Sequence, residues 1–568
     1  MNLGIDFGTS FTKMAYWNNG NLVDLLGTGR IPSVAAYVPF MDRFLYGQAA
    51  VNFTAPETLS ARFFKLHVKR KKDFSLGNFS LEQLLYDFFA YLHRDFVVPA
   101  GLRPDSLSLS VPNNFGLQAR CMLLTAAQRA FAVEDVLLLP EPVAALVGYN
   151  SSHPGEVLNG DLLAIDVGGG TSDFSFLSTS ADRQHMLLES QFQVGQDAFS
   201  GSEIDRMVLH NILSPAFQMQ YGEKLPASIL NEEFRSSDDQ LLFYRWMQMA
   251  EEIKITLSSQ EETRVNYADF LPGRNLAIHV TRDIFHAAVE PAFTRMKHYW
   301  KQAVDERART LGLLKNGKWD LDTVLLLGGA SQTRGLTKLI QELCPGVPVL
   351  HSSDPDYQVI RGLCLWPELA AQTGVNLKTV YPFRFYMEKK NDSENTLEEI
   401  PFDTANLELD FQGKYEICTL PVNSNCNLAS ESDQVLVRVF ELAEEDQEVQ
   451  VPRFMDQNLV LQIEADKSQT GAQISIYLNL ARARLELDNN DLLKGDQNEE
   501  DDILLKARRK QKAAYDLLSA YRFLDEMLVE DYGQHLESME SQREARGEED
   551  QETTLYKVMS LLQLYKGK

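Results

Sequence analysis

The alternation of apolar and polar positions opens the chain as a β-meander. A strand is predicted over residues 2–7, a Gly-Thr-Ser turn follows, and a second strand covers 12–17. A tight-turn signal, Asn18-Asn19-Gly20-Asn21, then precedes a third strand over 22–26. Leu81, Leu84, Leu85, Phe88, Phe89 and Leu92 recur at helical spacing, which predicts a helix over 80–95. Next come a short strand over 107–111 stopped by Pro112, and a helix over 117–131. Strand, glycine turn and strand then return as 162–167, Gly168-Gly169-Gly170 and 173–177. Helical spacing governs 203–258 and 284–313. A buried-looking strand over 323–327 runs into Gly328-Gly329-Ala330, and helical spacing resumes at Leu336.

Two of these units share a pattern. Ile5-Asp6-Phe7-Gly8 and Ile165-Asp166-Val167-Gly168 repeat Ile-Asp-x-Gly at an offset of 160 residues. That distance is far too long for a solenoid period and predicts two similar lobes facing each other. Past residue 376 the texture changes to short strand-like runs over 383–387, 407–411, 435–440, 459–463 and 474–478, separated by polar and acidic loops. The charge run 441–448 is expected to be one such solvated loop, without function. From residue 501 the pattern is helical again, broken near Gly533 and through 541–551. The predicted architecture is therefore α/β: a two-lobed domain over 1–373, a linker over 374–381, an all-β domain over 382–490 and a short acidic helical tail over 491–568.

Composition narrows the class of function. At 568 residues, with 44% hydrophobic and 24% charged positions, the chain is globular and long enough for several cores. Its formal net charge is −26, which argues against nucleic acid or an anionic membrane as partner. Any phosphate site must then be built from backbone amides, a metal ion and a few placed cations. Five cysteines form no CxxC pair, no apolar run approaches the roughly 20 residues of a membrane helix, and the first residues carry no basic head before an apolar stretch. The setting expected from these features is cytoplasmic, with the thiols as core residues.

A single Asp beside a glycine turn usually just caps the turn. Asp6 and Asp166, paired across two matching turns, indicate more. Glycines let backbone amides approach an anion closely, and two facing carboxylates suit a water-rich Mg²⁺. Together they predict a nucleotide polyphosphate clamped between lobes.

Here a family resemblance enters. Leu3-Gly4-Ile5-Asp6-Phe7-Gly8-Thr9-Ser10, Glu141-Pro142-Val143-Ala144-Ala145 and Ala164-Ile165-Asp166-Val167-Gly168-Gly169-Gly170-Thr171-Ser172-Asp173 resemble the phosphate and connecting motifs of the actin-like ATPase superfamily. Within it the chain resembles the 70-kDa heat-shock protein (DnaK-like) chaperones. The further matches are Ser110-Val111-Pro112 with Gln118-Ala119-Arg120, the run from Glu251 through Lys254 to Ser259, residues 325–330, and Asp354-Pro355-Asp356. The order is kept from residue 1 to about 370. Three departures stand out: Ile255 replaces the family's adenine-stacking arginine, the usual arginine of the second adenosine segment is displaced to Arg334, and the linker from Gly374 to Val380 lacks acidic ends.

The resemblance implies roles. Lys65, Glu141, Asp166, Asp173 and Thr171 would be catalytic, and Asp6 and Asp166 would hold the metal shell. Asp6, Gly8, Thr9, Ser10, Lys13, Gly168, Gly169, Gly170, Glu251, Lys254, Ser258, Gly328, Gly329 and Asp356 would contact ATP or ADP with Mg²⁺, K⁺ being a further candidate ion. Pro112, Arg120 and Glu141 would relay the nucleotide state, with Arg120 pairing a surface-directed carboxylate. The implied function is an ATP-hydrolysing chaperone acting on a polypeptide client, with a J-domain co-chaperone and an exchange factor as further partners. The alternatives are a nucleotide-switched scaffold or exchange factor with little turnover, and a filament-forming actin relative.

Overall fold

A computed structural model describes residues 1–487, apart from 28, 54–57, 63, 71–74, 77–78, 113–114, 154–156, 182–185, 197–198, 353, 356, 374–375, 391–394, 403–407, 411–412, 422–433, 444–458 and 467–472. The expected helical tail over 491–568 and Asp356 lie outside the described residues. The fold is mixed α/β. Two sheets follow one plan, each centred on an antiparallel hairpin flanked by a parallel strand. In the first, Asn2–Phe7 pairs with Phe11–Asn18 on one side and parallel Ser106–Val111 on the other, and Asp135–Pro140 lies beyond. In the second, Gly160–Val167 pairs with Ser172–Ala181 and parallel Thr323–Leu327. The repeat at 160 residues is thus a repeat of topology.

Alternation fixes how the first hairpin sits. Leu3, Ile5 and Phe7 are fully buried, and the Phe7 ring lies 5.5 Å from both Phe64 and Phe89. Each such side chain contributes roughly 1.5–3 kcal/mol on burial. Because successive residues of a strand face opposite ways, anchoring Phe7 in this aromatic nest turns Asp6 to the other face. The Asn18–Asn21 turn is as expected, with Asn19 and Gly20 both at positive φ. Helices Leu81–Leu92 and Leu117–Phe131 cover the sheet, and their apolar faces are buried.

The segment expected to be a linker is a strand. Asn376–Val380 pairs in parallel with Met186–Gln196 and extends the second sheet, with Leu377 buried. Backbone pairing to a sheet edge holds it, so acidic ends are not what fixes it in place. The run over 407–411, expected in the β-rich part, instead gives Glu408–Asp410, which pairs antiparallel with this strand. An open edge carries unsatisfied N–H and C=O groups, and the short strand completes them. The described strands past residue 382, Glu408–Asp410 apart, make a four-stranded sheet, with Phe383–Lys390 and Gln434–Ala443 at its centre, and a three-stranded sheet around Gln473–Asn479. An antiparallel hairpin, Glu262–Leu271 with Arg274–Thr281, lies between the helical stretches.

The charge run beginning at Glu441 requires a correction. Glu441 is not in a solvated loop: it sits inside the strand Gln434–Ala443 and is 1% exposed. Among the described residues, no helix is long and apolar enough to cross a membrane. Cys344 and Cys364 are buried, and burial pushes the Cys364 thiol up to about 12. They pack as small core residues.

Candidate functional site

A cavity of about 240 Å³ opens between the two hairpin turns. Both turns close with the same bond: Gly8 N–H donates to the Phe11 carbonyl (3.1 Å) and Gly168 N–H to the Thr171 carbonyl (2.9 Å). The register repeats too, with Asp6 opposite Lys13 and Asp166 opposite Asp173. The turns touch: a Cβ on Gly169 would come within 2.1 Å of Ser10 Oγ. Gly201 and Ser202, which open the helix Gly201–Val208, donate their amides to the Gly168 and Gly169 carbonyls (2.9 and 2.8 Å). Gly328, at φ 76°, closes the wall against Asp166, and a Cβ there would meet Asp166 Oδ1 at 2.2 Å.

The charged groups are paired across this floor. Lys65 is 4% exposed and donates to Glu141 Oε1 (2.7 Å) and to the Phe7 carbonyl. Glu141 begins the helix Glu141–Ser152, where the positive end of the helix favours a carboxylate. Asp6 accepts from Lys13 Nζ (3.0 Å) and Ser110 Oγ (2.9 Å). Burial alone would raise its carboxyl, but the charges of Lys13 and Lys65 and these hydrogen bonds outweigh that, and the result is below the ordinary aspartate value. Asp166 goes the other way. Burial first, then repulsion from Glu141, Asp173 and Asp6, holds its carboxyl well above the usual range. Thr171 Oγ1 donates to Asp173 Oδ2 (3.0 Å).

On the far wall the helix Ser237–Ser259 presents Glu251, Lys254, Ile255 and Ser258 to the cavity, at spacings of three, four and seven that share a face. Lys254 Nζ reaches the Gly201 carbonyl (3.1 Å) and Asp205 (2.8 Å). Ile255 is half exposed at 52%.

The cavity lining brings together Asp6, Gly8, Thr9, Ser10, Lys13, Lys65, Glu141, Asp166, Gly168, Gly169, Thr171, Asp173, Glu251, Lys254, Ser258, Gly328 and Gly329. Gly170 is buried behind its turn and does not line it. Sequence reasoning missed Arg30, which also lines the cavity, and gave no individual role to Gln332 and Thr333, which line it from the segment after Gly329. Arg30 follows glycines at 27 and 29, and that pair was the available signal.

With this geometry in view, the chain can be set beside known proteins. The sequence profile described as Hsp70 protein matches residues 105–563. The chain belongs to the Hsp70 family. It is similar to the chaperone protein DnaK of Thermus thermophilus, 24% identical over 395 residues (64% of this chain and 60% of the relative). The chaperone protein DnaK of Deinococcus proteolyticus is 23% identical over 390 residues, 63% and 58% of the two chains. The alignment thus spans about three-fifths of the length of these relatives. The first hairpin precedes the profile match, so its place at the site rests on the geometry.

Beyond the cavity this Hsp70 chain holds a second charged cluster. Arg120 is not paired with a surface-directed carboxylate as expected; it is 4% exposed, and its Nε donates to the Phe115 carbonyl (2.7 Å). Both carboxylate oxygens of Glu441 accept from the Leu117 amide (2.9 and 3.0 Å), and the Tyr381 hydroxyl donates to the same carboxylate. Burial lowers the Arg120 guanidinium, while the charges of Tyr381 and Glu441 oppose the shift.

Proposed function

We propose that this Hsp70 protein is an ATP-hydrolysing, DnaK-like chaperone that holds Mg·ATP between its lobes. The observation that carries the reading is the pair of hairpin turns with identical closing bonds and register, facing the Lys65–Glu141 pair across one cavity. Successive turn amides can cradle phosphate oxygens, with Thr9, Ser10 and Thr171 adding hydroxyls. Asp6 and Asp166 fit an Mg²⁺ shell. No cluster of three or more His, Cys, Asp or Glu among the described residues could hold an ion alone, so the remaining ligands would be water and phosphate, as Mg²⁺ prefers. The raised carboxyl of Asp166 marks where a cation is wanted. When bound, Mg²⁺ neutralises charge on the transferring phosphate.

The chain's own groups divide the work. Lys65 carries the positive charge that counters the leaving γ-phosphate, and Glu141 orients it. Asp173, hydrogen-bonded to Thr171, is the group placed to orient water and take its proton. The domain reading follows the same proposal: residues 1–373 bind nucleotide, 382–490 grip an extended client, and 491–568 form a lid. Partners of the J-domain and exchange-factor classes and a cytoplasmic setting belong to it as well. The test is single-turnover ATP hydrolysis with and without a panel of unfolded peptides, where stimulation by peptide is the expected result.

Ile255 supports a second reading, a nucleotide-switched scaffold or exchange factor with little turnover. At the base end it replaces a stacking cation with an apolar side chain. Mg·ATP binding, measured by calorimetry, without turnover in the same assay would select it.

A further inference from the structure

The two hairpins agree in turn and register but differ in charge. Asp6 faces Lys13 across the first, whereas Asp166 faces Asp173 across the second. Lys13 Nζ lies 3.0 Å from Asp6 Oδ2, with the two side chains 12% and 9% exposed. The other Asp6 oxygen is taken by Ser110. A buried carboxylate must be paired within the protein or coordinate a cation from solution. The first hairpin meets that demand internally, and the second does not: Asp166 faces another carboxylate, Asp173, across the hairpin, and the one lysine that acts on it, Lys13, is already bonded to Asp6.

We infer that Lys13 is the resident cation of the phosphate subsite, neutralising Asp6 from within the chain, so that nucleotide binding recruits a divalent ion on the Asp166 side and needs no monovalent cation. The inference rests on the nucleotide reading of the cavity. A lysine suits the position because its ammonium is a compact point charge on a flexible stem, able to share itself between a carboxylate and a nearby phosphate oxygen. Lys13 is a binding residue in this account, shared between Asp6 and the phosphate.

The test is calorimetric binding of Mg·ATP to the full chain in choline chloride, sodium chloride and potassium chloride at equal ionic strength. The wild type should bind equally in all three. Lys13→Met should lose about tenfold or more in choline, the size expected for an uncompensated, partly buried charge, and recover in sodium or potassium. Lys13→Arg should keep the wild-type indifference. The double variant Asp6→Asn with Lys13→Met removes the charge that needs a partner and should again ignore the salt. Salt-indifferent binding by Lys13→Met, or a wild type that itself requires sodium or potassium, overturns the inference. A wild type that binds no nucleotide in any salt overturns the site reading along with it. Thermal melting of each variant separates a lost cation from a lost fold.

Discussion

Replacing Glu441 should loosen the strand-rich segment from the nucleotide lobes in two graded steps. Its carboxylate satisfies the Leu117 amide, one of the four orphan donors at the start of the 15-residue helix Leu117–Phe131, from a strand more than 300 residues away. Glu441→Ala leaves that amide and the Tyr381 hydroxyl without their acceptor in a buried place, and it removes the negative charge that offsets the burial of the Arg120 guanidinium. Breaking such a set costs about 3–5 kcal/mol. Glu441→Gln keeps an acceptor oxygen but gives up the charge, and with it one charge-assisted bond and the interaction with the helix dipole, about 1–2 kcal/mol. If this cluster holds the Asn376–Val380 strand in its sheet, trypsin cleavage after Lys378 should report its opening. At about 1.4 kcal/mol per factor of ten, the Gln variant should be cut roughly tenfold faster than the wild type and the Ala variant several hundredfold faster. Mass spectrometry locates the cut, and circular dichroism confirms that each variant is folded. Equal cleavage rates in all three proteins would refute the reasoning.

Three further outcomes are expected. Lys65→Ala should bind Mg·ATP almost as the wild type does yet hydrolyse it at least about a hundredfold more slowly, since its charge matters most as the γ-phosphate leaves; single-turnover kinetics beside calorimetry measure both. Ile255→Arg should tighten ATP binding several-fold, because a restored cation–π contact contributes roughly 0.5–2 kcal/mol; an unchanged dissociation constant means the base sits elsewhere. His93, packed against Phe131 and held by burial at about 4, below its ordinary 6.5, favours the neutral form in the folded chain. Its contribution is fully present above pH 6.5 and is lost as the pH falls to about 4, roughly 3 kcal/mol in all; denaturant midpoints of His93→Gln should lack that part of the slope.

Much of the site was legible because both hairpins carry their chemistry locally. The Ile-Asp-x-Gly repeat announces two strand ends, two glycine turns and two carboxylates, all within a few residues of sequence. Helix Leu117–Phe131 and strand Thr323–Leu327 were legible from periodicity to the residue. What escaped depends on partners distant in the chain. Asn376–Val380 is a strand because the edge of Met186–Gln196 is open to it, and no local pattern records that edge. Glu441 reads as the first of a run of acids, which ordinarily means solvent. Only the fold brings it to a helix N-terminus and turns a surface signal into a buried cap. Arg120 was legible as a candidate relay residue, but its burial beside that cap was not.

On the proposed reading, the cavity would take a polyphosphate in a chain of net charge −26. It does not do so with an excess of positive charge. Each of its three lysines is held by a carboxylate: Lys13 by Asp6, Lys65 by Glu141 and Lys254 by Asp205. Such pairs project little net field, so long-range attraction of a free polyphosphate is weak and the surrounding acidity opposes it. The attraction has to come at short range, from Arg30 at the cavity wall, from turn amides that carry no net charge, and from an ion that arrives with the nucleotide. Both hairpins supply the amides, but only the second, with Asp166 and Asp173 facing each other, leaves a carboxylate energetically short of a cation. On the proposed nucleotide reading, the ligand the cavity would favour is the metal complex of a nucleotide over the nucleotide alone, and the duplicated fold has kept its geometry twice while letting the two copies part in charge.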